Sequence, residues 1–127
     1  MLRICKELFF RTQKLNYLNG KLTIKKHQIV NDVLWVEYNK YFATIVFNGC
    51  TCNDFTNASI PSDIMPYKIN GLCTLWNGNT RHTAEVVIRS NATPNNVVNY
   101  FVPGSGTGGD MAGRDDYIMV GSITWAI

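Results

Sequence analysis

The chain has 127 residues, 46% apolar and 17% charged, a balance that fits one folded domain and excludes an intrinsically disordered chain. Valine, isoleucine and threonine together number 32 against six alanines and three glutamates, so β-branched residues outweigh strong helix formers and a mainly helical protein is excluded. The net charge of +3 is uneven: residues 1–40 carry eight Lys/Arg and three acids, whereas residues 41–127 carry four and six, which makes the larger part a poor partner for nucleic acid.

Residues 1–30 read as a basic lead-in or anchoring segment. As a helix, Met1, Leu8 and Leu15 share one seam position and Ile4, Arg11 and Leu18 the other, a run too short for an independent coiled coil. As a hairpin, Asn19-Gly20 marks a tight turn. A short helix or irregular segment ending near Asn19-Gly20 is the preferred reading, since glycine commonly follows a helix C-terminus. No run reaches the ~18 apolar residues of a membrane span, so membrane insertion is not expected. Met1–Glu7 also lacks the apolar core of a secretory signal.

From Lys21 onward the punctuation is that of an all-β domain, and residues 31–127 read as an antiparallel β-sandwich. Leu22–Lys26 is a candidate strand and Val33–Tyr38 a clearer one; Asn39-Lys40 then turns into Tyr41–Asn48. In that strand Tyr41, Ala43, Ile45 and Phe47 share one face and Phe42, Thr44 and Val46 the other, which predicts cover on both sides. Gly49–Ser59 is polar and turn-rich, and Pro61 and Pro66 disfavour helix and central strand over Ile60–Tyr67. Strands follow over Lys68–Trp76, Thr83–Arg89 and Val97–Val102, then a flexible loop over Pro103–Gly113 and a last strand within Asp116–Ala126.

The motifs that could carry chemistry are few. Gly104–Gly109 satisfies G-x-G-x-x-G, but a dinucleotide site needs a helix directly after it, and the remaining residues read as a strand. Cys50 and Cys52 form C-x-C without a second pair, so small buried thiols are expected, with a disulfide to Cys73 as the alternative in an oxidising compartment. Asp110, Asp115 and Asp116 beside Arg114 match no standard calcium loop and read as solvated charges. His27 and His82 have no partner that the sequence marks as a nucleophile, and no paired carboxylates stand out, so neither an enzyme nor a cofactor is expected. The sequons at Asn57 and Asn91 matter only in a eukaryotic secretory route.

The hairpin Leu75–His82 is the richest constellation. Trp76, Asn77, Asn79, Arg81 and His82 place a large aromatic, two amides, a cation and an imidazole around one turn. Aromatic faces stack on sugar rings, and amides and guanidinium groups hydrogen-bond hydroxyls. The competing reading is a core tryptophan beside ordinary turn residues. Asp110, Arg114 and Asp115 form a second candidate loop.

The order of elements in the last 95 or so residues resembles the C-terminal head domains of bacteriophage tail-fibre and baseplate receptor-binding proteins. The resemblance is carried by the Trp-bearing strand Val33–Tyr38, the apolar strand entering Asn48-Gly49, the Ile60-Pro61 and Met65-Pro66-Tyr67 element, Val86-Val87-Ile88, the Gly-rich loop and the ending Asp116–Ile127. It implies a jelly-roll-like β-sandwich assembled as a homotrimer on a virion. It also implies adhesion to a bacterial surface saccharide, no cofactor, no chemistry, and attachment to other virion proteins through the lead-in. The alternative is a structural decoration, collar or baseplate subunit that joins virion proteins without touching the host.

Overall fold

Successive side chains of a strand point to opposite sides, so the alternation of apolar and polar residues decides which face meets the core. The computed structural model describes residues 11, 13, 23–102 and 107–127. Through these run strands β1 (Lys25–Val30), β2 (Leu34–Tyr38), β3 (Phe42–Thr51), β4 (Lys68–Trp76), β5 (Arg81–Arg89), β6 (Asn96–Val102), β7 (Thr107–Asp110) and β8 (Ile118–Ala126), with one short helix, α1 (Cys52–Thr56). Every pairing is antiparallel, in the order β1-β2-β3-β8-β4-β5-β6-β7. The fold is all-β and sandwich-like. Its connectivity refines the jelly-roll-like expectation: two meanders, β1–β3 and β4–β7, are joined by β8, which returns to lie between them.

Strand β8 bridges the two meanders unequally. It pairs with β3 from Phe42 opposite Ala126 to Thr51 opposite Ile118, but with β4 only through Thr74–Trp76 opposite Ile118–Val120. The strands part at Gly121, whose φ of +144° is one that L side chains rarely adopt. Beyond that point Ile123 lies across the bare backbone of Gly71, where an added Cβ would come within 2.6 Å of Ile123 Cδ1. Val36, Ile45, Leu75, Val86, Val98 and Met119, from six different strands, are fully buried in the one resulting core cluster.

Local chemistry explains where the structure departs from the strand reading. The Gly49–Ser59 stretch contains α1, which starts because the Thr51 hydroxyl accepts the Asp54 amide while the Asp54 carboxylate accepts the Thr51 amide. Phe55 then packs edge-on against Phe47 at 5.1 Å between centroids. The expected loop over Pro103–Gly113 holds β7, whose residues pair with β6 from Asn99–Asp110 to Val102–Thr107. Strand β1 lies three residues later than expected and pairs with β2, so the folded unit reaches back into the anticipated lead-in. Of the expected helix or hairpin over residues 1–19, Arg11 and Gln13 are described and helical, and the rest lies outside the described residues. Among the described residues the outer face of β3 is only partly covered: Phe42 is 55% exposed, Val46 is half-buried, and Thr44 bonds Thr124 on β8 at 2.7 Å. Trp125 is core, with its indole N–H donating to the Ile64 carbonyl at 2.8 Å, whereas Trp35 is half-buried beneath Lys26.

Candidate functional site

Residues directly opposite one another in an antiparallel pair share a face. Leu75 stands opposite His82 and Trp76 opposite Arg81, so the two pairs point to opposite sides of the sheet. Leu75 is fully buried, which puts His82 on the core face and Trp76 and Arg81 on the outer one. The constellation expected at this hairpin is therefore divided. On the outer face the Arg81 guanidinium covers the Trp76 ring at 4.9 Å. At the tip, the Asn77 carboxamide oxygen accepts the Asn79 and Thr80 amides at 2.9 and 2.7 Å, committing it to the turn, and Asn79 is exposed.

His82 instead joins residues from three other places in the chain. Tyr100 on β6 sits opposite Ala84 and therefore shares the core face with His82; their rings lie 5.3 Å apart. Tyr117, just before β8, approaches the same imidazole at 5.7 Å, and the Arg114 guanidinium lies 5.6 Å from the Tyr117 ring. With the buried Met111 these residues line an open cleft of about 310 Å³, at the lower end of the ~300–1,000 Å³ typical of small-molecule sites. His82 and Arg114, drawn from two separate candidate clusters, thus meet in one place.

The cleft has a fixed frame. Asp110 accepts the Ala112 amide at 2.9 Å and so serves the turn after β7. The Met111 amide donates to Val98 and the Asn53 amide to the Arg114 carbonyl, each at 2.9 Å, tying residues 111–114 to β6 and to the start of α1. Arg114 Nε donates to Asp116 Oδ1 at 2.8 Å, and its terminal NH2 group pairs with the other carboxylate oxygen. This fork holds the Asp116 carboxyl below its ordinary range and raises the Arg114 guanidinium. Asp115 is exposed beside the pair. Tyr100 owes its position to Gly109, its partner across the β6–β7 ladder: a Cβ on Gly109 would fall 2.1 Å from Tyr100 Cε1. The glycines of β7 thus let an aromatic ring lie flat on the sheet edge.

Tyr100, Met111, Asp116 and Tyr117 escaped sequence reasoning. Tyr100 and Tyr117 look like ordinary strand aromatics until the β5–β6 register is known. A larger hollow of about 560 Å³ lies elsewhere, between Lys25, Lys40 and Asp63, but among the described residues Tyr38 alone lines it with a ring. Among the described residues, no three His, Cys, Asp or Glu side chains are grouped to hold a metal ion, and no helix is long and apolar enough to cross a membrane.

Cys50, Cys52 and Cys73 are buried free thiols. Burial pushes the Cys50 thiol up to about 12, with Asp54 and the other two thiols adding to it, and pushes Cys73 to about 12 and Cys52 to about 11. At neutral pH all three are protonated and poor nucleophiles.

No known protein family, curated protein or solved structure matches the chain.

Proposed function

We propose that the protein is a non-catalytic saccharide-binding head of a bacteriophage tail fibre or baseplate, attaching the virion to its host surface. The observation that carries this reading is the cleft in which His82, Tyr100 and Tyr117 present three aromatic rings beside a guanidinium. Flat rings offer an apolar surface to the axial C–H face of a pyranose, while phenol, imidazole and guanidinium groups hydrogen-bond its hydroxyls. The hydrogen bonds that anchor residues 110–114 leave little ordering to be done on binding, which favours affinity in a shallow site. One such cleft binds weakly; a homotrimer carrying three, held on the virion by residues 1–30, would gain avidity on a repetitive cell-wall polymer. The resemblance of the sequence to phage head domains and the sandwich-like fold support the same reading.

A second reading, a structural subunit that joins virion proteins, is favoured by apolar side chains on the outer face. Leu72 is 66%, Phe42 55% and Val120 47% exposed. Light scattering on the full chain, run beside a glycan array and a bacterial cell-wall pulldown, separates the two. A trimer that binds glycan and loses it on Tyr117→Ala supports the receptor-binding head. A trimer with no glycan or cell-wall signal overturns it in favour of the structural subunit, and a monomer that binds nothing overturns both.

A further inference from the structure

We infer that the cleft selects a neutral saccharide and discriminates against sugars bearing a carboxylate or phosphate. This rests on the saccharide reading of the cleft and adds the charge class of its ligand. A basic residue in a sugar site ordinarily signals an acidic ligand, because the guanidinium fork matches a carboxylate with two parallel hydrogen bonds. In this chain that fork is taken. Nε and one terminal nitrogen of Arg114 are both bound to Asp116, two residues away on the same loop. What the cleft offers is the remaining edge of a neutralised guanidinium, the Tyr117 ring beneath it, the Tyr100 ring and the His82 imidazole.

The surrounding charges push the same way. Residues 110–116 hold three carboxylates, Asp110, Asp115 and Asp116, against the single guanidinium of Arg114. Asp115 adjoins Arg114, so one carboxylate without a counter-charge on this loop flanks a cleft-lining residue, whereas Asp110 stands opposite Asn99 on β6 and so faces the other side of the sheet from the Tyr100 ring. Of these charges Asp115 alone, at the ~7 Å scale of neighbouring residues, weakens an incoming anion about threefold in water at low salt. The Arg81 guanidinium does not offset it, because that group lies over Trp76 on the opposite face of the sheet. The Arg114–Asp116 fork thus acts as a specificity device. It keeps a hydrogen-bonding cation beside the rings while removing its preference for anions.

The test is a protein-observed NMR titration of the full chain with matched sugars that differ only at C6. Methyl β-glucoside is compared with methyl β-glucuronide, and methyl β-galactoside with methyl β-galacturonide, each at low salt and again at high salt. The expected result is saturable shifts at His82, Tyr100 and Tyr117 with at least one neutral member. Its acidic counterpart should bind about threefold more weakly, and salt should narrow the gap. Asp116→Asn removes the partner of the Arg114 fork and should lower the neutral-to-acidic ratio about tenfold or more. Asp115→Asn makes the same charge change without freeing Arg114 and should move the ratio only about threefold. An acidic sugar that binds the wild type as tightly as its neutral match overturns the inference and leaves the saccharide reading standing. If neither Asp116→Asn nor Asp115→Asn moves the ratio, or both move it equally, the role given to the fork is overturned. If no sugar of either class shifts the cleft resonances, the saccharide reading falls and this inference with it.

Discussion

Replacing Gly109 by alanine probes the wall of the cleft with a single methyl group. The added Cβ would lie 2.1 Å from Tyr100 Cε1 and 3.0 Å from Cδ1 and Cζ, well inside contact distance, so the ring must swing off the sheet. Overpacking of this kind costs about 1–3 kcal/mol, and the lower half applies here because the clash is with a half-buried side chain free to rotate away. The same motion removes one of the three rings from the cleft. Tyr100→Ala should then act as a suppressor. With the ring gone, Gly109 lies outside the positive-φ region, and alanine there restricts the unfolded chain, a gain of about 0.4–1 kcal/mol. Gly108→Ala is the control: its Cβ would meet the Tyr100 carbonyl oxygen at 2.7 Å, a backbone clash that truncating the side chain cannot relieve. Urea denaturation of the four-member cycle measures the coupling, expected at about 1–2 kcal/mol for Gly109 and near zero for Gly108. An additive cycle at Gly109 would refute the contact between this glycine and the Tyr100 ring, and with it the explanation of why β7 is glycine-rich.

Asn96 is buried and donates to the Phe55 and Ala58 carbonyls at 3.0 and 2.9 Å, so Asn96→Ala should cost about 2 kcal/mol in urea denaturation. Asn96→Asp should cost more, since a carboxylate would face the same two carbonyls without a proton to donate. Cys50, Cys52 and Cys73 should resist a thiol reagent in the native protein at neutral pH and react together once it is unfolded. Their folded-state values are raised, so the stability they contribute is fully present below about pH 9 and is lost as pH rises toward 11–12. Thermal melts from pH 8 to 11 should show that decline, and serine at the three positions should flatten it. Arg81→Ala should leave the cleft resonances unchanged, because that side chain is on the far face of the sheet.

Much of the fold was legible because alternation is a local signal. Strand β4 begins and ends where its apolar pattern does, and Ala84, Val86 and Ile88 point inward on β5 as their spacing requires. Helix α1 was hidden by its length: five residues, Cys-Asn-Asp-Phe-Thr, read as a turn, although Thr51 and Asp54 carried a capping signal. Strand β7, Thr-Gly-Gly-Asp, has almost no intrinsic strand preference and exists because β6 offers it a partner. The cleft was legible only in pieces. His82 and Arg114 stood out by chemistry, but their meeting depends on the β4–β5–β6 register and on hydrogen bonds from a distant helix and strand. Trp76 and Arg81 are separated from His82 for the same reason. Proximity in sequence around a turn places neighbouring residues on opposite faces of a sheet as readily as together.

The central claim is that the rings of His82, Tyr100 and Tyr117 form the binding surface. Host cell-wall polysaccharide titrated against wild type, Tyr117→Ala and Arg81→Ala, each as the full chain, tests it most directly. Affinity at least tenfold weaker for Tyr117→Ala, with Arg81→Ala within twofold of wild type, is the predicted result. Equal loss in both variants, or loss in Arg81→Ala alone, would place binding at the outer hairpin face and contradict the account.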